Sequence, residues 1–147
     1  MKLSTRGHYG LRAMGELARA YGQGPLALAE IAEVEKLSLA YLEQLFASLR
    51  KAGLVESTRG VRGGYELTRD PSTIKVGQIV RVLEGPIAFV ECAAEDASPS
   101  CCEREENCPS RLVWQKVRDS VAEVLDSMTL ADLANRQPAA TAALDSH

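Results

Sequence analysis

The chain has 147 residues, of which 46% are hydrophobic, 25% charged and 5% aromatic, fractions that are typical of a soluble globular protein. No run approaches the ~18 apolar residues of a membrane-spanning helix, and the first residues lack the apolar stretch of a secretory signal. We therefore expect a cytoplasmic protein with no membrane partner, and not a membrane, secreted or fibrous protein.

Charge is distributed unevenly along the chain. Residues 1–81 carry 12 basic and 8 acidic side chains, a net charge of +4, whereas residues 82–147 carry 5 and 12, a net charge of −7. A basic half can meet the phosphates of a nucleic acid while an acidic half stays away from them. Two ordinary solvated surfaces would give the same division, so the charge permits a nucleic-acid partner without requiring one.

The first part of the chain predicts three helices. Ser4 can cap the first helix, and a short second helix covers residues 28–34. Ser38 is a good N-cap for a third helix that runs to about Ala52, and Gly53 stands where a left-handed C-terminal residue is expected. The expected core positions are Leu11, Met14, Leu17, Ala18 and Tyr21 on the first helix and Leu39, Leu42, Leu45, Phe46 and Leu49 on the third.

A change of hydrophobic period after Gly53 predicts a β-hairpin. Strand-like runs at residues 54–57 and 65–68 flank a glycine-rich tip that carries Arg59 and Arg62, and a fourth helix follows before Gly85. Three short helices followed by a hairpin is the order of a winged helix-turn-helix. The predicted fold is therefore mainly α with a small β-hairpin, in which residues 1–84 form a winged helix-turn-helix DNA-binding domain.

The third helix and the hairpin tip supply candidate DNA contacts. Ser38 and Tyr41 can donate hydrogen bonds to phosphates or base edges, and Gln44 can pair bidentately with adenine. Glu43 can accept from a cytosine amino group, although phosphates repel a carboxylate and an ordinary solvated position is the alternative. Arg59 and Arg62 can enter the minor groove or bind phosphate, or can simply keep the hairpin soluble.

All four cysteines lie in the predicted loop of residues 85–109, which is polar from Glu91 onward. Cys92, Cys101, Cys102 and Cys108 fall within 17 residues that are too poor in apolar side chains to bury thiols. Structural disulfides are uncommon in a reducing compartment, so metal ligation or redox chemistry is the leading explanation. A single disulfide or inert thiols are the alternative.

The last part of the chain predicts a long helix from Ser110 to about Ser127. Its apolar residues are separated by 3, 4, 3 and 4 positions, a two-heptad seam that is typical of a helix packing along another helix. Thr129 and Asp132 then resemble a capping box for a short final helix, so residues 110–135 form one predicted unit. Residues 136–147 are expected to be a disordered tail. The seam residues are Trp114, Val117, Val121, Val124 and Met128.

Five stretches of the chain follow a known pattern: Met1–Met14, Ile31–Ala32, Leu37–Phe46, Leu49–Val55 and Arg59–Leu67. They resemble Rrf2-family bacterial transcription regulators, in particular the branch typified by the regulator of iron–sulfur cluster biogenesis. The resemblance covers about residues 1–135. It implies a homodimer joined through the long helix, a double-stranded DNA operator as partner, and a repressor whose Ser38, Tyr41, Gln44 and Arg59 face DNA.

The resemblance also implies an iron–sulfur cluster, because sensing members of this family hold one with three cysteines in the loop before the long helix. Here those ligands are Cys92, Cys102 and Cys108. The family spacing places five residues between successive ligands, which Cys102 and Cys108 keep, whereas nine separate Cys92 from Cys102. Cys101 could replace Cys102 as the middle ligand, and both the two-iron and the four-iron cluster remain open.

The fourth ligand departs from the family pattern. A histidine follows three residues after the last cysteine in the related branch, but this chain has Arg111 there, whose guanidinium cannot ligate. Cys101 could ligate, and so could His8, because some relatives recruit a side chain from the partner's first helix. A solvated or DNA-facing role is the alternative for His8.

Two other functions are compatible with the four cysteines, and they differ from a cluster-controlled regulator in the role of the thiols. The same regulator could respond through disulfides or a zinc ion in place of a cluster. A small iron–sulfur carrier is a further alternative, and it predicts no DNA binding. An enzyme is not expected, because the sequence has no glycine-rich phosphate loop and no zinc-peptidase helix motif.

Overall fold

The computed structural model describes residues 5–60, 63–87 and 109–135, and its fold is mainly helical with one antiparallel hairpin, as predicted. Ser4, Arg62, all four cysteines and the C-terminal tail lie outside the described residues. The elements in chain order are α1 (Thr5–Arg19), α2 (Leu28–Glu35), α3 (Leu39–Lys51), β1 (Val55–Thr58), β2 (Gly64–Leu67), a short 3-10 helix (Pro71–Thr73), α4 (Val76–Glu84), α5 (Pro109–Ser127) and α6 (Leu130–Ala134).

The core lies between α1, α3 and α4 and contains most of the predicted apolar positions. Met14, Leu42 and Phe46 are each 0% exposed. Two predicted core positions are wrong. Tyr21 is 43% exposed because α1 ends at Arg19, before the helical stripe reaches it. Leu39 is 42% exposed because it is the first residue of α3 and lies beside the outward-facing side of that helix.

Local signals set the position of α3. The Ser38 hydroxyl accepts a hydrogen bond from the Tyr41 N–H at 3.2 Å, which confirms the predicted N-cap. Gly53 follows the helix with φ of +83°, the left-handed conformation predicted for it. Lys36 also adopts a left-handed conformation, with φ of 57°, and ends α2. The turn of residues 36–38 therefore joins α2 to α3 within three residues, as a helix-turn-helix requires.

The hairpin is attached to the helical body at β2. Val55 pairs with Leu67 and Thr58 with Gly64, so the tip lies between Thr58 and Gly64. Leu26 forms a short antiparallel bridge on the other side of β2. Its N–H donates to the Tyr65 carbonyl at 2.8 Å, and its carbonyl accepts from the Tyr65 N–H at 2.9 Å. The Tyr65 ring also meets Phe46 of α3 edge-on, with centroids 5.1 Å apart. Backbone pairing and ring packing thus fix the hairpin beside α3.

Replacing Gly64 with alanine should loosen this attachment. A Cβ at Gly64 would lie 2.5 Å from the Leu26 carbonyl carbon and oxygen, and the backbone can retreat only by straining the bridge to Tyr65. We expect the free energy of unfolding to fall by about 1–3 kcal/mol, measured by urea denaturation. Gly15→Ala is the control, because its Cβ would have no neighbour closer than 3.9 Å and alanine favours a helix. Equal effects of the two changes would contradict this account.

The chain returns to the same core after α5. Leu130 is 0% exposed, its N–H donates to the Ile74 carbonyl at 2.9 Å, and α6 packs against α1 and the 3-10 helix. Thr129 and Asp132 form the predicted capping box. The predicted start of α5 was wrong: the helix begins at Pro109, so Ser110 lies in its first turn and is not its cap. Proline suits that place because the first helical N–H has no partner in the helix.

One ion pair joins α5 to α4. Arg81 donates to both carboxylate oxygens of Asp126, at 2.7 and 3.2 Å. The pair lies over Gly77, where a Cβ would overlap the Asp126 carboxylate. Bidentate geometry of this kind fixes orientation as well as distance. The C-terminal half of α5 is thereby attached to α4 along the side that carries Asp126.

A second charged group joins α1 to α2. Arg12 donates from Nε to the Glu35 carboxylate and from Nη2 to the Glu35 backbone oxygen, each at 2.7 Å. Burial raises the pKa of Glu16, and a hydrogen bond with Glu35 acts in the same direction, while Arg19 opposes both. These contacts fix the first helix of the helix-turn-helix against the helix on which it packs.

Candidate nucleic-acid interface and cysteine loop

The outward face of α3 is continuous and solvent-exposed. Leu39, Ala40, Glu43, Gln44 and Ala47 are all exposed, and the spacing of three or four positions places them on one side of the helix. The opposite side is the buried one that packs into the core. The predicted contacts Glu43 and Gln44 are thus both presented outward, where a helix can enter a major groove.

Ser38 and Tyr41 have roles inside the protein as well. Ser38 caps α3 through its oxygen and can still donate its hydroxyl proton outward. Tyr41 is half-buried, its hydroxyl lies 3.1 Å from the Thr5 hydroxyl, and its ring meets Tyr9 edge-on at 6.2 Å. A DNA contact by Tyr41 must therefore share the hydroxyl with Thr5. Sequence reasoning missed this contact because the two residues are 36 positions apart.

The basic residues near α3 extend its exposed face. Arg59 is exposed at the start of the hairpin tip, beside Gly60 with φ of +118°. Arg50 and Lys51 are exposed at the C-terminal end of α3, and Arg50 reaches Ser57 of β1 at 3.4 Å. Sequence reasoning did not select these two, although Lys51 lies seven residues after Gln44 and Arg50 seven after Glu43, a spacing that places each pair on the same side of the helix.

The candidate cluster ligands are not brought together within the described residues. His8 is exposed on α1, with its ring 5.2 Å from the Tyr9 ring, and stays a prediction as a ligand. All four cysteines lie outside residues 5–60, 63–87 and 109–135. Within those ranges no three His, Cys, Asp or Glu side chains are grouped as a metal site.

The segment that leads into the cysteine loop is attached to α1. The Gly7 N–H donates to the Glu84 carboxylate at 2.8 Å, and Arg6 Nε donates to the Leu83 carbonyl at 3.1 Å. A carboxylate at the start of a helix meets unpaired N–H groups and the positive end of the helix dipole. Because Thr5 in the same first turn contacts Tyr41, the residues before the loop connect through α1 to α3.

The predicted seam of α5 is not buried within the chain. No described residue of α5 is buried, and Leu112, Val113 and Val124 are 56%, 53% and 60% exposed. Ser120, Val121, Val124 and Leu125 line a shallow apolar groove. At about 100° per residue, Val121 and Val124 point away from Asp126, which faces α4. The seam therefore lies on the side of α5 opposite to the body of the molecule.

A helix-turn-helix whose exposed recognition helix lies beside a hairpin with an arginine-bearing tip defines a winged-helix regulator of transcription. Residues 3–136 match the Rrf2 family, whose description is iron-dependent transcriptional regulator. The chain belongs to this family, as the resemblance implied. Of the helices within the described ranges, none has the length and apolar character needed to cross a bilayer.

Relatives of known structure confirm the fold class and the regulator assignment. The regulator CymR of Bacillus subtilis is 51% identical over 135 residues, which cover 92% of this chain and 91% of that protein. The structure of this protein, the global cysteine regulator of its organism, superposes with a TM-score of 0.77 over 93% of this chain and 98% of that one, at 50% identity. T. potens IscR superposes with a TM-score of 0.73 at 50% identity, over 90% and 85% of the two chains. The oxidized form of Staphylococcus aureus CymR gives 0.73 at 42% identity, over 92% and 97%.

Proposed function

We propose that this regulator is a homodimer that binds a double-stranded operator through α3 and the hairpin tip and acts as a repressor. The observation that carries the proposal is the exposed face of α3, with Gln44 in the position of a base-reading side chain. Ser38 and Tyr41 at the start of the helix, and Arg59 and Arg62 in the hairpin tip, are the proposed phosphate and groove contacts.

We propose that the α5 seam packs against the same seam of a second copy of the chain. The seam faces away from α4 at a heptad spacing, and none of its residues is buried within the chain: Val124 is 60% exposed and the other four are half-buried. This is the arrangement expected of two helices that pack along each other. A two-fold dimer would present two α3 helices to half-sites about one helical turn, ~34 Å, apart. In this proposal residues 1–84 bind DNA, residues 110–135 dimerise the chain and close its core, and residues 136–147 are a tail.

Residues 85–109 are the proposed sensor loop, in which Cys92, Cys102 and Cys108 would hold an iron–sulfur cluster. The donor set fits, because three thiolates are the soft ligands that such clusters require. The family description as iron-dependent supports the same assignment. When bound, the cluster would make the loop's state depend on iron supply and oxidants. Cys101 or His8 is the proposed fourth ligand.

The chain's own contacts supply a route from this loop to DNA. Glu84, just before the loop, accepts a hydrogen bond from the Gly7 N–H of α1, and Thr5 of the same turn contacts Tyr41 of α3. A loop that changes conformation would shift Glu84 and thereby the start of α1. Coupling requires that the two states of the loop bind DNA with different affinity.

A second candidate keeps DNA binding but replaces the cluster with thiol chemistry or a zinc ion. The similarity to CymR favours it, since the Bacillus subtilis protein is a cysteine regulator and the Staphylococcus aureus protein was solved in an oxidized form. Four neighbouring thiols can form disulfides or a Cys₄ zinc site. A carrier role has less support, because the named relatives are regulators of transcription.

Anaerobic purification followed by reconstitution with iron and sulfide tests the cluster. We expect a brown protein with stoichiometric iron and acid-labile sulfide, and loss of the colour in Cys92→Ser, Cys102→Ser and Cys108→Ser. Cys101→Ser and His8→Ala identify the fourth ligand, because only the variant that lacks it should form a less stable cluster. A protein that stays colourless overturns the cluster, whereas stoichiometric zinc or a reversible loss of free thiols under peroxide supports the second candidate.

DNA binding is tested separately from the cluster. Both loaded and unloaded protein are incubated with random-sequence DNA, and bound sequences are recovered and amplified through several rounds. We expect one palindromic sequence to be enriched and its affinity to fall steeply with added salt, because phosphate contacts release counterions. Failure to enrich any sequence in either state would overturn the proposed function.

A further inference from the structure

Leu39 is an apolar side chain in an unexpected place. It continues the buried stripe of α3 by sequence spacing, yet it is 42% exposed, while Leu42, one turn later, is 0% exposed. The neighbouring Ala40 is also exposed. The first turn of the recognition helix therefore presents two apolar side chains outward, directly after the capping residue Ser38.

The position of Leu39 on the helix places it among the candidate base-reading residues. Leu39 and Glu43 are four residues apart, as are Ala40 and Gln44, so the two pairs form adjacent rows on the exposed face. A helix that enters a major groove contacts base edges with side chains near its N-terminus. The Leu39 side chain can neither donate nor accept a hydrogen bond. Its burial in the groove is therefore favourable only against an apolar part of a base edge.

The major groove offers one such feature, the C5-methyl group of thymine. We infer that Leu39 selects a thymine in each operator half-site by covering its methyl group, with Ala40 widening the apolar surface. This inference rests on the proposed operator binding and adds to it recognition of a methyl group, which hydrogen-bonding side chains do not detect. The thymine is expected within about three base pairs of the adenine read by Gln44, because the five residues from Leu39 to Gln44 advance the helix by ~7.5 Å and base pairs are ~3.4 Å apart.

Replacing thymine with deoxyuridine removes only the methyl group and tests the inference directly. The operator enriched by the wild-type protein is synthesised with deoxyuridine at each thymine in turn, in both half-sites together, and binding is measured with the full-length dimer. We expect one position at which the wild-type protein loses about 15-fold in affinity, the product of about fourfold for each buried methyl group. Leu39→Ala should lose less than about threefold from the same replacement, since little apolar surface remains to cover the methyl.

Two further variants separate the methyl contact from general damage. Leu39→Met keeps an apolar side chain of similar reach and should retain the sensitivity to deoxyuridine. Val34→Ala is the matched control, because Val34 is a 63% exposed aliphatic residue near the end of α2 and not part of the exposed face of α3. It should respond to deoxyuridine as the wild-type protein does.

The outcomes distinguish this inference from the function on which it rests. An operator that is bound equally well with and without thymine methyl groups, or that has no thymine near the adenine contact, overturns the role of Leu39 and leaves DNA binding intact. Unchanged deoxyuridine sensitivity in Leu39→Ala overturns it as well. A protein that enriches no sequence overturns the proposed function and this inference with it.

Discussion

Aspartate at both Val121 and Val124 is expected to separate the homodimer and to weaken operator binding by about 100-fold or more. The loss follows because two linked reading helices gain avidity that a single helix lacks. Both positions line the apolar groove on the outward side of α5, and Val124 is 60% exposed in the single chain. Two carboxylates placed there would face their own symmetry mates in an apolar contact, where unpaired charges are costly.

The matched control for the α5 change is Lys116→Asp. Lys116 is exposed and lies outside the apolar groove, about 140° around the helix from Val121 and about 80° from Val124, so the new charge stays in water. Sedimentation equilibrium should show a monomer for the double variant and a dimer for the control, with unchanged helical circular dichroism in both. A double variant that stays dimeric, or a monomer that binds the operator as tightly as the wild-type protein, would contradict the proposed interface.

Phe46→Ala is expected to lower the free energy of unfolding by about 3–5 kcal/mol. Phe46 is 0% exposed in α3, and its ring packs edge-on against Tyr65 of β2. Truncation would leave a cavity beneath the recognition helix and remove the ring contact that holds the hairpin to it. A single domain has a free energy of unfolding of only about 5–15 kcal/mol, so this change would remove a large part of its stability.

Urea denaturation measures the effect of this change, with Phe46→Leu as the comparison. Leucine keeps most of the buried apolar volume and should cost less than half as much. A loss below about 1 kcal/mol for the alanine variant would show that the core collapses around the missing ring. We also expect Phe46→Ala to lower operator affinity at temperatures where the folded fraction is still near one, because α3 and the hairpin lose their fixed relation.

Local features of the sequence were sufficient for the helices and for several of their ends, although not for the end of α1 or the cap of α5. The Ser38 cap, the left-handed Gly53 and the capping box of Thr129 and Asp132 all involve residues within four positions of each other, and all are found. The hydrophobic period located α4 and the buried side of α3 for the same reason, since neighbouring turns of a helix determine which residues share a face. Local resemblance also sufficed to assign the family.

The candidate DNA-binding side chains were only partly defined by their spacing. Gln44 and Arg59 are exposed as expected, but Tyr41 is also bound to Thr5, and the apolar period placed Leu39 in the core. Periodicity gives the angle of a side chain around its helix. Periodicity does not show how far along the helix the neighbouring elements extend. At the first turn of α3 no neighbouring element covers Leu39 completely, and the side chain is therefore exposed although its angle is close to that of the buried stripe.

The contacts that assemble the molecule were decided by the tertiary structure alone. The Gly7 N–H meets Glu84 across 77 positions, and Arg81 meets Asp126 across 45. The bridge from Leu26 to Tyr65 likewise joins segments that no local pattern relates. The sequence determines which residues are helical and which are apolar because those properties depend on near neighbours. Which charge pairs with which, and which apolar face stays open, depend on how the elements pack, since distant segments become neighbours only once the chain has folded.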